Sequence, residues 1–538
     1  MKVAIAGGGP GGLFLAILLR RARPDIEVVV WERNRAEDTF GFGVVFSDAT
    51  LASINDADPV LQQALVDHGA RWDTIEVRMK GERWTAGGNG MAAVGRKTLL
   101  ALMQRRATEA GVNVRFRTEA GLADTADFDV VVAADGANSR LRTQLAEHFR
   151  PSCEQATAKF IWLGTTHAFP GLTFLHEQSP DGVFAVHGYP IDARTGTFIV
   201  ETDEASWRSA GLDEFDVTQP PGPSDTKSRR YLEKLFAEHI GGTSLLVNNS
   251  RWANFRTRRA ATWRHGNVVL LGDAAHTAHF SVGSGTKMAM EDAIVLADCL
   301  TTVDDLDEGL GRYEERARPS VEKIQQSAAP SLAWWEHFGR SYQAFDPWQF
   351  AFHFFSRTLP VDRLERRDRR FVEAVRARWV GEHGAPPLHS PGRLAHESVA
   401  GRVLPTDPGG VLAPCESGQT LRLPLHTAAP ASRSSSAPWA LRTTAPDRTT
   451  EIADAAAQAA SAAAQAALVV VDGGTRFTRA LLSEELRLAY GATTAIVVNA
   501  GEPEVAETAV LSGRADFVAI TSEDLPWWAR SGGGDLRD

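Results

Sequence analysis

Residues 2–12 read Lys2-Val-Ala-Ile-Ala6-Gly7-Gly-Gly9-Pro-Gly-Gly12, and Leu-Phe-Leu-Ala-Ile-Leu-Leu-Arg-Arg-Ala follows them. The first run is short and apolar, as a buried strand is, and the second repeats apolar residues at helical spacing. A further apolar run, EVVVWE, closes at Glu32. Strand, glycine turn, helix and strand make a βαβ unit. In such a unit Gly7 permits the tight turn, Gly9 lets a pyrophosphate reach the backbone, and Gly12 lets the helix pack on the strand. The helix start offers free N–H groups and a partial positive charge to the phosphates. An acid about 20 residues further on accepts from ribose hydroxyls. Glu32 stands there, with Arg33 beside it. The stretch predicts a Rossmann-like α/β fold that binds a dinucleotide.

Two later segments repeat the strand-then-acid pattern. DVVVAADGANSRLR (129–142) ends its strand at Asp135 and Gly136, and NVVLLGDAAH (267–276) ends at Gly272 and Asp273. The second runs into Gly283-Ser-Gly285-Thr286-Lys287, a glycine turn that opens a helix. An acid at a strand's carboxyl end can accept from a polyol hydroxyl, although a lone one is usually a helix N-cap. Three such elements in order are not explained as caps. Between them FIWLGTTHAF, GVFAVHGYP and GTFIVETD are β-rich and broken by Gly, Pro and Asp turns. The expected division is therefore 1–154 for the first part of the dinucleotide domain and 155–255 for an inserted β-sheet. Residues 256–385 then complete that domain with a helical segment, and 400–538 form a small C-terminal α/β domain. The last follows a Pro/Gly/Ser-rich stretch that includes APASRSSSAP.

The 538 residues carry 57 basic and 67 acidic side chains, a formal net charge of −10, with 43% hydrophobic and 23% charged residues. That composition is ordinary for a globular chain and gives no overall basic field for nucleic acid or an anionic membrane. Three scattered cysteines make neither a disulfide framework nor a zinc motif, and fit buried thiols in a reducing cytoplasm. No metal site is expected. The start lacks a signal-peptide pattern, and no apolar stretch approaches the ~20 residues of a membrane span.

On the glycine motif with Glu32, the Asp135-Gly136 motif and the Gly272-Asp273 motif, residues 1 to about 385 resemble the single-component (group A) FAD-dependent aromatic monooxygenases. The resemblance implies a FAD-binding domain of the para-hydroxybenzoate hydroxylase type with an inserted mixed-sheet substrate domain. It implies that Asp273 holds the FAD ribitol, that Arg96 in GRKTLLALM contacts FAD, and that Asp135 serves FAD and NAD(P)H together. Gly43, Val44 and Val45 in GFGVVFSD would run along the isoalloxazine, and Gly285, Thr286 and Lys287 would meet its pyrimidine oxygens. Most family members carry Pro-Pro where this chain has His279 and Phe280. That form, with WQFAFHFFSRTLPVDRLERRDRRFVEAV further on, is similar to the branch that hydroxylates aromatic acyl-CoA thioesters.

The resemblance implies NADH (or NADPH) reducing FAD, O2 as co-substrate, and oxygen transfer through a flavin C4a-hydroperoxide to the ring. Salicylyl-CoA to gentisyl-CoA is the expected conversion. Anthraniloyl-CoA, a free aromatic or an indole-type metabolite stand as alternatives, and a flavoprotein scaffold without catalysis as a non-enzymatic one. A phenol attacks better as its phenolate, so a group in hydrogen-bond reach of the ring hydroxyl would assist. His279 is the first candidate, because it replaces a proline in the turn that would face the flavin, and imidazole as a side-chain type can exchange protons near neutral pH. Phe280 and Ser281 accompany it. Phe46, His187 and Tyr189 are candidate substrate contacts, with His187 and Tyr189 on one face of a strand. His276 reads as a loop-fixing residue. CoA phosphates would need local cations, for which Lys227/Arg229/Arg230, Arg256/Arg258/Arg259 and Arg363 to Arg370 are candidates. The segment RALLSEELRLAYGATTAIVVNAGEPEVAETAVLSGRADFVAI resembles the end of an old-yellow-enzyme barrel. Roughly 140 residues fall short of the ~200 a (β/α)8 barrel needs, so a truncated remnant is expected. It leaves homodimerisation open.

Overall fold

The computed structural model describes all residues except Pro221, Gly283, Ser284, Asp304, 431–436, 522–525, Trp527 and 529–538. The chain forms two compact units, one of Met1–Val77 with Asn89–Glu336, the other of Arg78–Gly88 with the chain from His337 on.

The first unit is built on a six-stranded sheet in the order Arg264–His265, Val268–Leu270, Val130–Ala133, Lys2–Ala6, Glu27–Glu32, Asn113–Phe116. All pairs are parallel except that of the edge strand Arg264–His265. Parallel strands covered on both faces read as continuous apolar runs, which is why VVVA and VVL could be recognised. Helices Pro10–Ala22, Arg96–Glu109 and Gly285–Thr302 belong to this unit, and Ile5, Leu13, Val131, Val269 and Leu296 share its core. Each such side chain contributes roughly 1.5–3 kcal/mol by leaving water. Gly11 and Gly12 let the first helix sit close. A Cβ on Gly12 would lie 2.1 Å from the Gly7 carbonyl oxygen, and one on Gly11 2.6 Å from Leu271.

Inserted in this unit is an antiparallel sheet in the order Leu245–Leu246, Pro151–Thr165, Gly196–Thr202, Gly182–Pro190, Leu172–Ser179, with Ala253–Ala260 also paired to the long strand. Strand alternation divides its side chains. Ile161, Leu163, Phe184, Val186, Phe198 and Val200 pack with Leu232, Phe236 and Trp252 on one face. Phe160, Trp162, Tyr189 and Ile199 point to the other, where they join Trp72, Ala93, Val45 and Phe280.

The second unit holds an eight-stranded sheet running from Thr420–Leu423 at one end to Leu425–His426 at the other. From Val403–Asp407 through Phe517–Thr521, Thr494–Val497, Leu468–Gly473 and Ala440–Ala445 to Leu425–His426, every neighbour is parallel. Helices Ile452–Ala463, Arg476–Tyr490 and Pro503–Leu511 lie between successive strands in sequence, the βαβα texture expected of a barrel fragment. The division between the two compact units falls at 336/337. Helix Pro347–Phe355 explains this: Trp348, Phe350, Phe352 and Phe354 are buried, and His353 Nδ1 lies 2.8 Å from the Ser512 carbonyl oxygen. The break lies inside helix Leu306–Ala344, so no turn signal marks it. Most of the APASRSSSAP stretch lies outside the described residues. Among the described residues no helix is long and apolar enough to cross a membrane. Cys299 and Cys415 are buried, whereas Cys153, near the start of the long strand, is exposed, unlike the buried thiol expected.

Candidate active site

Parallel strands end on the same side, so turns far apart in sequence meet at one sheet edge. Gly7 follows Lys2–Ala6, Glu32 ends Glu27–Glu32, Asp135 follows Val130–Ala133, and Asp273 follows Val268–Leu270. Ala134 N–H donates to the Ala6 carbonyl at 2.8 Å and Gly7 N–H to the Trp31 carbonyl at 2.7 Å, fixing the turns side by side. Gly7 takes φ +113°, and its missing Cβ leaves room for the Ala134 backbone. Glu32 accepts from Gly8 N–H at 2.8 Å through one oxygen and from Asn34 N–H and Nδ2 at 2.8 and 2.7 Å through the other. An ionised carboxylate keeps further lone pairs for ligand hydroxyls. Arg33 is exposed and lies 4.0 Å from Glu119.

Two observations fit this edge to a phosphate-bearing dinucleotide such as FAD. A Cβ on Gly9 or Gly136 would meet nothing within 4 Å, so the backbone is open to an approaching group there. Asp135 Oδ2 accepts from Arg140 N–H at 2.7 Å, while its buried Oδ1 has no hydrogen-bond partner among the described residues. A buried unpaired acceptor costs roughly 1–3 kcal/mol, which a ligand donor would recover.

Asp273 faces the start of helix Gly285–Thr302, where a Cβ on Gly285 would lie 4.0 Å from its Oδ1. Burial raises the Asp273 carboxyl against the opposing charges of His276, Arg96 and Arg258. Arg96 opens its helix beneath the Gly43 loop, with Nε 3.4 Å from the Gly43 carbonyl and its guanidinium 5.2 Å from the Trp162 ring. Thr286 is half-buried beside Gly285, and Lys287 pairs with Glu291 at 2.7 Å along the same helix. The Gly283 part of this turn lies outside the described residues. His276 Nε2 lies 2.8 Å from Asp292, which also accepts from Gly272 N–H at 3.0 Å, so this histidine braces the Gly272-Asp273 turn.

Arg142 joins the two acid motifs, donating at 2.8 Å to the carbonyls of Ala137 and Ala274. Arg142→Ala removes two charge-assisted hydrogen bonds and leaves a buried carbonyl bare, an expected loss of about 2–4 kcal/mol. Reduced FAD content of the purified variant, with a lower unfolding midpoint, would bear this out; wild-type values of both would not.

Strand Gly43–Ser47 alternates faces. Val44 and Phe46 enter the core of the nucleotide domain, and Val45 joins the aromatic face. Phe46, expected as a substrate contact, is instead 2% exposed within that core, because it points the opposite way from Val45. The aromatic face gathers Trp72, Phe160, Trp162, Tyr189, Val45 and Phe280. Phe280 lies 5.1 Å from Phe160, 5.6 Å from Trp162 and 5.4 Å from His187. The indole N–H groups of Trp72 and Trp162 are buried with no hydrogen-bond partner among the described residues. Burial pushes the Tyr189 hydroxyl up to about 12, which makes it a donor and not a base near neutrality.

Sequence reasoning missed Glu201. It is 1% exposed, on the strand face that carries Thr197 and Ile199, and pairs across the sheet with Ala185 and Phe160. His187 Nε2 lies 2.6 Å from one of its oxygens and His279 Nε2 3.5 Å from the other. His279 Nδ1 is 2.8 Å from Ser281 Oγ, which is 2.9 Å from Ser331 Oγ. The candidate histidines and serine are thus one network, with a carboxylate between the imidazoles. The signal was an acid at a buried position of GTFIVETD.

Five of the expected CoA-binding cations are paired with acids within the protein. Lys227 meets Glu214 at 2.7 Å, Arg229 meets Glu233 at 2.7 Å, and Arg259 meets Glu154 at 3.2 Å. Arg366 and Arg369 pair along their helices with Asp362 at 2.6 Å and Glu373 at 2.7 Å.

Comparison with known proteins accords with this geometry. The FAD binding domain family matches residues 1–328. The chain is 54% identical to a salicyloyl-CoA 5-hydroxylase of a Streptomyces species, over 97% of this chain and 100% of that protein. It is 38% identical to the 3-hydroxy-4-methyl-anthranilyl-[aryl-carrier protein] 5-monooxygenase of Streptosporangium sibiricum, over 62% of this chain and 89% of that one. Among solved structures, the tetrameric form of 2-methyl-3-hydroxypyridine-5-carboxylic acid oxygenase superposes with TM-score 0.51 at 20% identity, over 66% of this chain and 98% of that one. At that identity the likeness concerns the fold. The glycine-rich sheet edge, the aromatic face and these relatives agree: the chain belongs to the FAD binding domain family and is an FAD-dependent aromatic monooxygenase.

Proposed function

We propose that this enzyme hydroxylates salicylyl-CoA at the ring 5-position, giving gentisyl-CoA, with NADH as reductant and O2 as oxidant. The observation that carries this reading is the 54% identity that extends through the C-terminal unit to the whole length of a salicyloyl-CoA 5-hydroxylase. The balance is one ring C–H converted to C–OH, NADH oxidised to NAD+ with one proton taken up, and the second oxygen atom released as water. Bound FAD supplies the oxygen chemistry, taking electrons from the nicotinamide and activating O2.

The chain's own residues bind, orient and shield. Gly7, Gly9, Gly12 and Glu32 would hold the adenosine diphosphate half, Asp273 and Asp135 the polyol and its neighbours, and Arg96 and the Gly285 helix start the flavin head. Phe160, Trp162, Phe280 and Tyr189 offer ring faces and exclude water from the reacting carbon. The free indole N–H groups of Trp72 and Trp162 suit the oxygens of an aromatic carbonyl or hydroxyl. In salicylyl-CoA the hydroxyl activates the para carbon, the 5-position, and ionisation strengthens that activation.

The test is NADH oxidation and product analysis with salicylyl-CoA against free salicylate. Fast oxidation coupled to a product carrying one more oxygen is expected only with the thioester. Equal coupled turnover of the free acid would overturn the CoA assignment.

A further inference from the structure

Glu201 is a carboxylate buried in an aromatic environment, touched by two imidazoles. An isolated buried carboxylate is strongly disfavoured, so a group of this kind persists where its partners return what desolvation costs. The hydrogen bonds fix the tautomer of His279. The Ser281 backbone N–H donates to its Nδ1 at 3.3 Å, which makes Nδ1 the acceptor and places the ring proton on Nε2, facing Glu201. Ser281 Oγ also reaches Nδ1, at 2.8 Å. Serine, histidine and glutamate are therefore in series, with His187 closing the far side of the carboxylate at 2.6 Å.

We propose that Glu201 is a positioning residue for the hydroxylation, holding His279 in the tautomer that lets Ser281 and His279 take the proton of the substrate's ring hydroxyl. The inference rests on the salicylyl-CoA reading. The substrate O–H bond breaks and its proton bonds to Ser281 Oγ, while the serine proton passes to His279 Nδ1. The electron pair stays on the ring oxygen, and the imidazolium formed is paired with the Glu201 carboxylate. The charge change favours this direction. With both imidazoles neutral the buried group carries one negative charge, and accepting a proton neutralises it. Burial raises the Glu201 carboxyl, but the charge of a protonated His279 and the close contact with His187 outweigh this and leave it at about 2. The same proton returns along the chain after oxygen transfer.

The test uses the FAD-loaded enzyme and salicylyl-CoA. Glu201→Gln keeps the shape and removes the charge; kcat is expected to fall about a hundredfold, the size of one acid–base contribution, with KM within a few-fold of wild type. With a ring-fluorinated salicylyl-CoA, whose hydroxyl ionises more readily, the deficit is expected to shrink by about tenfold or more, because less assistance is needed. Glu201→Asp should recover part of the rate. Ser281→Ala, a smaller change at a half-buried position, should reproduce both the loss and its dependence on the substrate. It decides the matter if the Gln variant fails to retain FAD. Undiminished kcat in Glu201→Gln or Ser281→Ala, or an equal deficit with both substrates, would overturn the proposal. A wild type that leaves salicylyl-CoA unchanged would instead sink the substrate reading on which it rests.

Discussion

Gly7→Ala is expected to abolish FAD binding and leave little soluble protein. The wild-type residue sits at φ +113°, where an L side chain costs on the order of 1–3 kcal/mol before any contact is counted. The contacts are worse. A Cβ would lie 2.2 Å from the Ala134 carbonyl oxygen, 2.5 Å from its carbon and 2.9 Å from the Asp135 Cα, all backbone atoms that cannot swing aside. The clash cannot be relieved by moving either strand, because Lys2–Ala6 is central in the sheet and paired on both sides. Gly7 N–H and Ala134 N–H are themselves tied into neighbouring strands. Any shift separates the glycine turn from Asp135, the two halves of the proposed cofactor cradle. Gly9→Ala is the control, since a Cβ there meets nothing within 4 Å. It should fold normally and lose FAD affinity only through the ligand's approach. Flavin-to-protein ratio and far-ultraviolet circular dichroism separate the two outcomes. A Gly7→Ala protein with normal folded signal and full flavin would contradict the packing argument.

The candidate cradle is legible in the sequence because its parts are local. A strand, a glycine turn and an acid lie within a few residues of one another in each motif, and parallel topology then brings the motifs to one edge without further information. Asp135 and Asp273 were recognisable for that reason. The aromatic face was partly legible, since alternation put His187 and Tyr189 together. Alternation alone does not say which face a strand turns inward, and only the fold shows that Phe46 enters the nucleotide-domain core while Val45 faces the aromatic cluster. Glu201 escaped because its partners come from other elements. His187 belongs to the neighbouring strand and His279 to a turn near the nucleotide domain, and only the folded register shows that one carboxylate spans both. The division at 336/337 left no trace, because a continuous helix crosses it.

Arg514→Met is expected to cost the second unit about 3–5 kcal/mol, the range for removing one partner of a buried ion pair. Arg514 Nε lies 3.1 Å from Glu484, and its other nitrogens donate at 2.8 Å to Ser356 Oγ and at 2.9 Å to the His353 carbonyl. His353 Nε2 is 3.3 Å from the other oxygen of Glu484. Burial pushes the Glu484 carboxyl up, but His353 and Arg514 pull it down further, to about 2 from an ordinary 4.5. Burial and the Arg514 charge lower His353 from 6.5. Both shifts have the same sign. Each group binds its proton more readily in the unfolded chain, so stability rises with pH across the window between folded and unfolded values. The His353 contribution begins to fade as pH falls below 6.5, and the Glu484 contribution, on the order of 3 kcal/mol, is lost from 4.5 down to about 2. Hydrogen exchange of helices Pro347–Phe355 and Arg476–Tyr490 should therefore accelerate in Arg514→Met at neutral pH. In the wild type the same amides should lose protection on acidification. Adding Glu484→Met to Arg514→Met should restore much of the loss, because an apolar pair leaves no uncompensated charge. If the single variant exchanges at the wild-type rate, the cluster does not hold these helices together. If the double variant is worse than the single, hydrogen bonding to Ser356 and the His353 carbonyl outweighs the charge pair.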